Sequence, residues 1–153
     1  MRASEIAAVS SLLCDSYELL ASREALSPEQ TRFLLAERGS VECVRRESRR
    51  EQYLVARDLG RIVGMVAVRG AKITKLYVAP DRTGEGIGRL LYRAAEAVAR
   101  AAGERFLTLH AFPTAVPFYQ RMGLSVVAYR NATGALEGLH VALMEKDLNS
   151  DAI

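Results

Sequence analysis

Three glycines at alternate positions, Gly84, Gly86 and Gly88, stand between a segment of strand-like composition and one of helical periodicity. Glycine lets the backbone adopt positive φ angles, and its missing Cβ lets a ligand approach the main chain closely. The first amides of a helix have no intrahelical partners, and the helix dipole places partial positive charge there. A glycine loop that opens a helix is therefore a candidate site for phosphate or pyrophosphate. Arg82 and Arg89 add positive charge on either side of this loop.

The residues of the loop exclude two familiar kinds of phosphate site. A P-loop requires Gly-x-x-x-x-Gly-Lys followed by Ser or Thr, and the sequence has no such run. A dinucleotide fingerprint requires its third glycine three residues after the second, where Arg89 stands, and a parallel βαβ unit around the loop. A glycine-rich turn that merely caps a helix remains open as the structural alternative.

Two stretches of the sequence resemble the GNAT superfamily of N-acetyltransferases. Residues 75–89 are similar to the acyl-CoA-binding signature of that family, in which a strand and Val-x-Pro precede Arg/Gln-x-x-Gly-x-Gly/Ala. Gly86 and Gly88 match its two glycines, whereas Thr83 replaces the usual Arg or Gln. Residues 115–124 resemble the Ala-x-x-Phe-Tyr-x-x-x-Gly-Phe element of the family. Both stretches occur in the family's order, and the resemblance extends over residues 53–147.

The resemblance implies a reaction and a set of site residues. The expected reaction transfers an acetyl group from acetyl-CoA to a primary amine of a small molecule or a protein by direct attack. The amide at or near Val78 would polarise the thioester carbonyl, as an oxyanion hole does. Tyr119 matches the tyrosine that protonates the departing CoA thiolate, and its structural alternative is a core aromatic beside Phe118. The predicted cofactor-binding residues are Leu76, Tyr77, Val78, Arg82, Thr83, Gly84, Glu85, Gly86, Ile87, Gly88 and Arg89.

The general base of such a reaction is left open by the sequence. Histidine titrates near neutral pH, so His110 is one candidate, with a partly buried structural histidine as the alternative. Glu42, Glu47 and Glu51 are further candidates, although such a stretch is more often a solvated charged face. His140 belongs to no recognisable group of residues. A non-catalytic acyl-CoA-binding or sensor module would keep the same glycine loop, so the loop alone does not separate it from an enzyme.

Helical periodicity and capping residues predict the elements that position these side chains. Apolar residues three and four apart predict a helix over residues 5–20, and a capping box at Ser27-Pro28-Glu29-Gln30 predicts a second helix that ends near Glu37. The charged stretch 41–52 is assigned to a helix, and residues 114–122 to a short one. The clearest helix follows the glycine loop and ends at Gly103. Its predicted apolar stripe is Ile87, Leu90, Leu91, Ala94, Ala95, Val98 and Ala102.

Strand-forming residues predict the sheet. β-Branched and aromatic residues are concentrated in residues 53–56, 62–68, 73–78, 106–110, 125–130 and 139–147. The connections between the first three strands are too short for a crossover helix, which predicts an antiparallel meander. The expected fold is mixed α/β (α+β) and GNAT-like. In it, helices flank a largely antiparallel central sheet, and a strand–loop–helix–strand unit binds acyl-CoA. A single domain is expected over residues 1–153.

Composition limits the class of protein further. The 153 residues are 50% hydrophobic and 25% charged with a net charge of +3, which is typical of a soluble globular domain. We find neither a signal-peptide pattern nor the roughly 18 apolar residues of a membrane span, so a cytoplasmic protein without a membrane partner is expected. Cys14 and Cys43 lack metal-ligand spacing and are interpreted as reduced thiols without a metal site. Glutamates interleave Arg45, Arg46 and the arginines at 49 and 50, which favours a surface helix with local ion pairs over a nucleic-acid site. A homodimer is compatible with the resemblance.

Overall fold

The computed structural model describes residues 1–150 of the chain, so the last three residues of the predicted domain lie outside the described part. Residues 1–150 form five α-helices and six strands, with three helices and then three strands at the start of the chain. The helices are α1 (Ala3–Arg23), α2 (Pro28–Phe33), α3 (Val41–Glu47), α4 (Ile87–Ala101) and α5 (Val116–Arg121). The strands are β1 (Gln52–Asp58), β2 (Arg61–Arg69), β3 (Lys72–Val78), β4 (Phe106–Ala111), β5 (Ser125–Asn131) and β6 (His140–Asp147).

The strands form one sheet in the order β1-β2-β3-β4-β6-β5. All neighbours are antiparallel except β3 and β4, which are parallel because the glycine loop and α4 connect them as a crossover. The predicted fold class and the antiparallel meander of β1, β2 and β3 are thereby confirmed. Residues 62–68 of β2 are all buried, which agrees with a strand covered by helices on both faces of the sheet.

Each face of the sheet carries its own hydrophobic core. Helices α4 and α5 pack on one face, and α1, α2 and α3 pack on the other over β1, β2 and β3. The apolar stripe predicted for α4 is wrong at two positions, because Leu90 is 67% exposed and Ala102 is an exposed residue at the C-cap of the helix. Tyr92 takes the buried place instead, since the helix turns about 100° per residue and the core-facing phase runs through Leu91 and Ala95.

The N-terminal helices differ from the prediction mainly at their ends. The capping box at Ser27 and Gln30 is confirmed, and the chain after α2 continues as a π-helical turn at Leu34–Arg38. Helix α3 ends at Glu47 and β1 begins at Gln52, so the helix predicted over residues 41–52 is too long. In residues 1–150 no helix is both long and apolar enough to cross a membrane.

Candidate active site

The sheet splits between its two parallel strands. β3 and β4 pair at a single position, Lys72 opposite Thr108, and the strands diverge beyond it. A cleft of about 700 Å³ opens between the second half of β3, the glycine loop, α5 and the C-terminal half of α1. The predicted site residues that line it are Leu76, Tyr77, Val78, Arg82, Thr83, Gly84, Gly86, Ile87, Gly88, Arg89 and Tyr119. Glu85, also predicted, does not line the cleft, since its carboxylate turns to Arg82 at 2.7 Å.

The split exposes backbone groups on β3 that a closed sheet would pair. The Ala79 amide donates to the Val63 carbonyl of β2 at 2.9 Å. Hydrogen-bonded residues alternate along an antiparallel strand, so Tyr77 also faces β2, and Leu76 and Val78 direct their N–H and C=O groups toward β4. Because β4 has diverged there, these groups lie at the edge of the cleft. This edge offers donors and acceptors to an extended ligand arm, as an unpaired strand does.

The glycine loop opens α4 directly into the cleft. Gly84 and Gly86 have φ angles of +82° and +87°, in the left-handed region that glycine adopts most readily, and a Cβ at either position would meet no atom within 4 Å. Gly86 is the N-cap of α4, so the amides that follow have no intrahelical partners. Gly88 has a different role, because a Cβ there would approach the Phe118 ring to 3.4 Å. Within residues 1–150 no protein group accepts a hydrogen bond from the amides of residues 83–86.

The charged side chains that line the cleft are all positive. Four arginines line it, namely Arg23, Arg82, Arg89 and Arg121, and no aspartate or glutamate is among the lining residues of the described chain. Arg82 is partly neutralised, because its guanidinium also bonds Asp58 at 2.9 Å. The positive end of the α4 dipole adds to this field. An anionic ligand is therefore the kind of molecule that the cleft favours.

Tyr119 lies on α5 at the inner wall of the cleft. It is 8% exposed, and its ring packs edge-on against Phe118 with ring centroids 5.0 Å apart. Burial, with a smaller contribution from Tyr77, raises the pKa of the Tyr119 phenol well above its ordinary value. The phenol therefore stays protonated at neutral pH and can act as a proton donor. The core-aromatic alternative and the proton-donor role are both compatible with this position, because the same residue is packed and cleft-lining.

Sequence reasoning missed the wall that α1 contributes. Ser16, Leu19, Leu20 and Arg23 line the cleft, and the buried Ser16 hydroxyl donates to the Val78 carbonyl oxygen at 3.5 Å. These residues are spaced as one face of a helix. In the sequence of α1, the polar residues Ser16 and Arg23 interrupt an apolar stripe. This interruption alone does not show what that face of the helix contacts.

The candidate bases lie outside the cleft lining. His110 sits on β4, where burial and the charges of Lys72 and Arg130 lower its pKa. Glu42 and His140 are exposed. None of these three, nor Glu47 or Glu51, lines the cleft in the described chain.

Glu47 and Glu51 form a buried ion cluster rather than the solvated face expected of this stretch. Lys75, on β3 with a side chain 7% exposed, pairs with Glu47 and lies 3.5 Å from Glu51. The Thr74 hydroxyl donates to Glu51 at 2.6 Å. Burial raises the pKa of Glu47, but the hydrogen bond and charge of Lys75 outweigh it, so the pKa lies below its ordinary value. The predicted local pairing with arginines is therefore wrong for these two glutamates, because Lys75 is the nearer cation inside the fold.

The sheet splits between parallel strands, with a helix N-terminus and a glycine loop at the gap, and this arrangement defines a class of α/β domain with a site suited to an anionic ligand. The family model of the acetyltransferase (GNAT) domain matches residues 22–148. The chain belongs to this family, as its two sequence motifs predicted.

Solved structures agree with this assignment. The chain is similar to a GCN5-related N-acetyltransferase from Rhodopseudomonas palustris, at 26% identity and a TM-score of 0.86 over 94% of this chain and 90% of the other. It has the fold of the paia N-acetyltransferase from Thermoplasma acidophilum, which was solved in complex with coenzyme A, at 20% identity and a TM-score of 0.77 over 96% and 95%. An N-acetyltransferase from Staphylococcus aureus shares the fold at 16% identity, with a TM-score of 0.71 over 97% and 95%.

Proposed function

We propose that this protein is an N-acetyltransferase that moves an acetyl group from acetyl-CoA to a primary amine of a small molecule or a protein. The observation that carries the proposal is the continuity of the cleft. Its glycine loop presents unpaired amides at the start of α4, and the open edge of β3 leads from there to Tyr119. This order of groups suits a ligand with a pyrophosphate at one end, an amide-bearing arm in the middle and a thioester at the other end.

The residues divide the binding between them. Amides of residues 83–89 and the side chain of Arg89 would hold the pyrophosphate, because charge-assisted hydrogen bonds from amides are strong and directional. The N–H and C=O groups of Leu76 would pair with the amide-bearing arm as a strand partner does, whereas the Val78 carbonyl already accepts from Ser16. The amide at or near Val78 would donate to the thioester carbonyl oxygen and stabilise the negative charge that develops there.

The chemistry assigned to Tyr119 is a single proton transfer. A neutral amine attacks the thioester carbon, the C–N bond forms and the C–S bond breaks, and the phenol gives its proton to the departing thiolate sulfur. The amine loses one proton to solvent, and the phenolate recovers one. A tyrosine phenol is protonated at neutral pH before each turnover, and because burial raises the pKa of Tyr119, its phenolate regains a proton readily.

A non-catalytic acyl-CoA-binding module is the second candidate, since it would use the same amides and the same strand edge. Tyr119 favours the enzyme. A protonated phenol on the cleft wall is unnecessary for binding pyrophosphate, whereas it is suited to protonating a thiolate.

The test combines binding with turnover. Coenzyme A affinity is measured by calorimetry, and thiol release from acetyl-CoA is followed with a panel of small-molecule and peptide amines. Tyr119→Phe should lower kcat by roughly 10²-fold or more, the ordinary contribution of general acid catalysis, with coenzyme A affinity unchanged. Tyr129→Phe, on a side chain 74% exposed on β5, is the matched control and should behave as wild type.

The outcomes separate the two candidates. Coenzyme A binding without thiol release on any amine would leave the binding module as the function. Full turnover by Tyr119→Phe would remove the proton-donor role, and absence of coenzyme A binding would refute the proposed site altogether.

A further inference from the structure

Helix α1 spans the mouth of the split sheet. Near β3, Ser16 donates to the Val78 carbonyl. Eight residues later, Glu24 reaches Thr114 in the connection between β4 and α5. Eight residues of α-helix cover about 12 Å, so this half of α1 bridges from one lip of the cleft to the other. Leu19 and Leu20 lie between the two anchors and line the cleft.

The second anchor is a carboxylate that accepts two hydrogen bonds. Glu24 Oε1 accepts from the Thr114 backbone amide at 2.9 Å and from the Thr114 hydroxyl, across 90 positions of sequence. Bonds to an ionised acceptor are roughly twice as strong as neutral ones. Thr114 itself lines the cleft, so the contact lies at the site.

The place of Glu24 on its helix runs against local electrostatics. It is the C-cap of α1, where the helix dipole presents its negative end and a carboxylate is disfavoured. The chain then turns through Ala25 at a left-handed φ of +50°, and the Leu26 amide closes back on the Ala21 carbonyl at 2.9 Å. An alanine in this conformation is strained, so the turn that fixes Glu24 is maintained by its surroundings. The contact with Thr114 compensates for an unfavourable position.

Thr114 begins the segment that carries Tyr119. A short turn at Pro113–Ala115 leads into α5, and Tyr119 follows Thr114 by five residues. Helix α5 has six residues, too few to be stable alone, so its position depends on tertiary contacts, which include the core packing of Tyr119 and the contact of Thr114 with Glu24. A catalytic group displaced by about 1 Å can lose as much as a hundredfold in rate.

We propose that Glu24 is a positioning residue for the acetyl transfer, which ties α1 to the start of α5 and thereby sets the place of the Tyr119 phenol at the cleft wall. The inference rests on the proposed function and adds a residue that acts through another. Glu24→Ala should lower kcat about tenfold. The Kd for coenzyme A should stay within about twofold, since the glycine loop and the β3 edge are untouched.

The experiment uses the full-length protein and graded variants. Glu24→Gln keeps an oxygen acceptor without the charge and should lose about threefold in kcat. Thr114→Ser keeps both donors and should lose less in kcat than Thr114→Val, which loses the hydroxyl. If the two residues act through one contact, Glu24→Ala should cost less in the Thr114→Val background than alone. Glu18→Ala removes the same charge from an exposed position of α1 and is the matched control.

A spectroscopic readout keeps the test independent of turnover. A fluorotyrosine placed at position 119 should shift or broaden its ¹⁹F resonance in Glu24→Ala and not in Glu18→Ala. A wild-type protein without turnover on any amine would refute the proposed function, and the fluorine spectra would still decide the positioning role. Unchanged kcat with an unchanged resonance would overturn the proposal. So would an equal loss of kcat and coenzyme A affinity, because the residue would then support the cleft as a whole.

Discussion

Two glycines at opposite ends of α4 allow the pyrophosphate site to be tested against a matched control. Gly86, at the start of the helix, has a φ of +87°, and Gly103, just past its end, has a φ of +77°. A Cβ at either glycine would meet no atom within 4 Å, so neither substitution by alanine creates a steric clash. Both alanine substitutions therefore place a Cβ on a left-handed backbone, and they differ only in the groups that surround the two positions.

The expected cost in stability is similar for both variants. A left-handed conformation costs an alanine about 1–2 kcal/mol, so Gly86→Ala and Gly103→Ala should each lower Tm by roughly 2–8 °C for a domain of this size. Only Gly86→Ala should affect the ligand, because its methyl group enters the space beside the unpaired amides. Loss of one hydrogen bond to a charged phosphate is worth about 1.5–3 kcal/mol, which is roughly ten- to a hundredfold in Kd.

The assay is calorimetric titration with coenzyme A, paired with thermal unfolding of the same samples. The unfolding data establish that each variant is folded at the titration temperature and that the two have lost comparable stability. If Gly86→Ala binds coenzyme A as tightly as Gly103→Ala does, the pyrophosphate does not rest on this loop and the assignment of the site is refuted.

Two further predictions concern stability. Lys75→Met leaves the largely buried carboxylates of Glu47 and Glu51 without their cation and should lower the free energy of unfolding in urea by roughly 2–4 kcal/mol. This loss is smaller than that expected for a fully buried ion pair, because Glu47 is 21% exposed. Lys72→Met, on the same strand without a carboxylate partner in the described chain, should cost far less; equal losses would contradict the pairing. The pKa of Glu47 is lowered in the folded protein, so this residue stabilises the fold above its ordinary pKa of 4.5, and the stabilisation is lost as pH falls through the folded-state pKa. The difference in unfolding free energy between wild type and Lys75→Met should therefore shrink over the same fall in pH. Leu59→Asn should raise stability by about 0.5–1 kcal/mol by thermal unfolding, because the exposed Leu59 holds a φ of +48° in a two-residue hairpin turn where asparagine is preferred. An unchanged or lowered Tm would show that this turn is not strained.

Features with a local cause were predictable from the sequence. The glycine loop, the capping box at Ser27 and the crossover helix α4 each depend on residues close together in the chain. The cleft-lining set from Leu76 to Arg89 followed from the same local signals and from the family motif. The ends of helices were predicted less accurately than their presence. Helix α3 ends at Glu47, earlier than predicted, because a charged stretch has nearly equal propensities for helix and loop.

Features that depend on distant partners were not predictable. Lys75 lies 28 positions from Glu47, and nothing near either residue indicates that they meet beneath the sheet. The contact of Glu24 with Thr114 joins residues 90 positions apart, on two segments whose mutual position is set by the sheet. The phase of α4, which buries Tyr92 and exposes Leu90, is set by packing against the core on the sheet.

The split in the sheet leaves β3 with the exposed backbone of an edge strand although it lies in the middle of the sheet. Unpaired strand edges attract the strands of other chains and are a source of aggregation, so folded proteins usually cover them. Here α1 crosses the opening, with Ser16 occupying the Val78 carbonyl. The same helix that walls the cleft thereby shields part of this inner edge from a foreign strand.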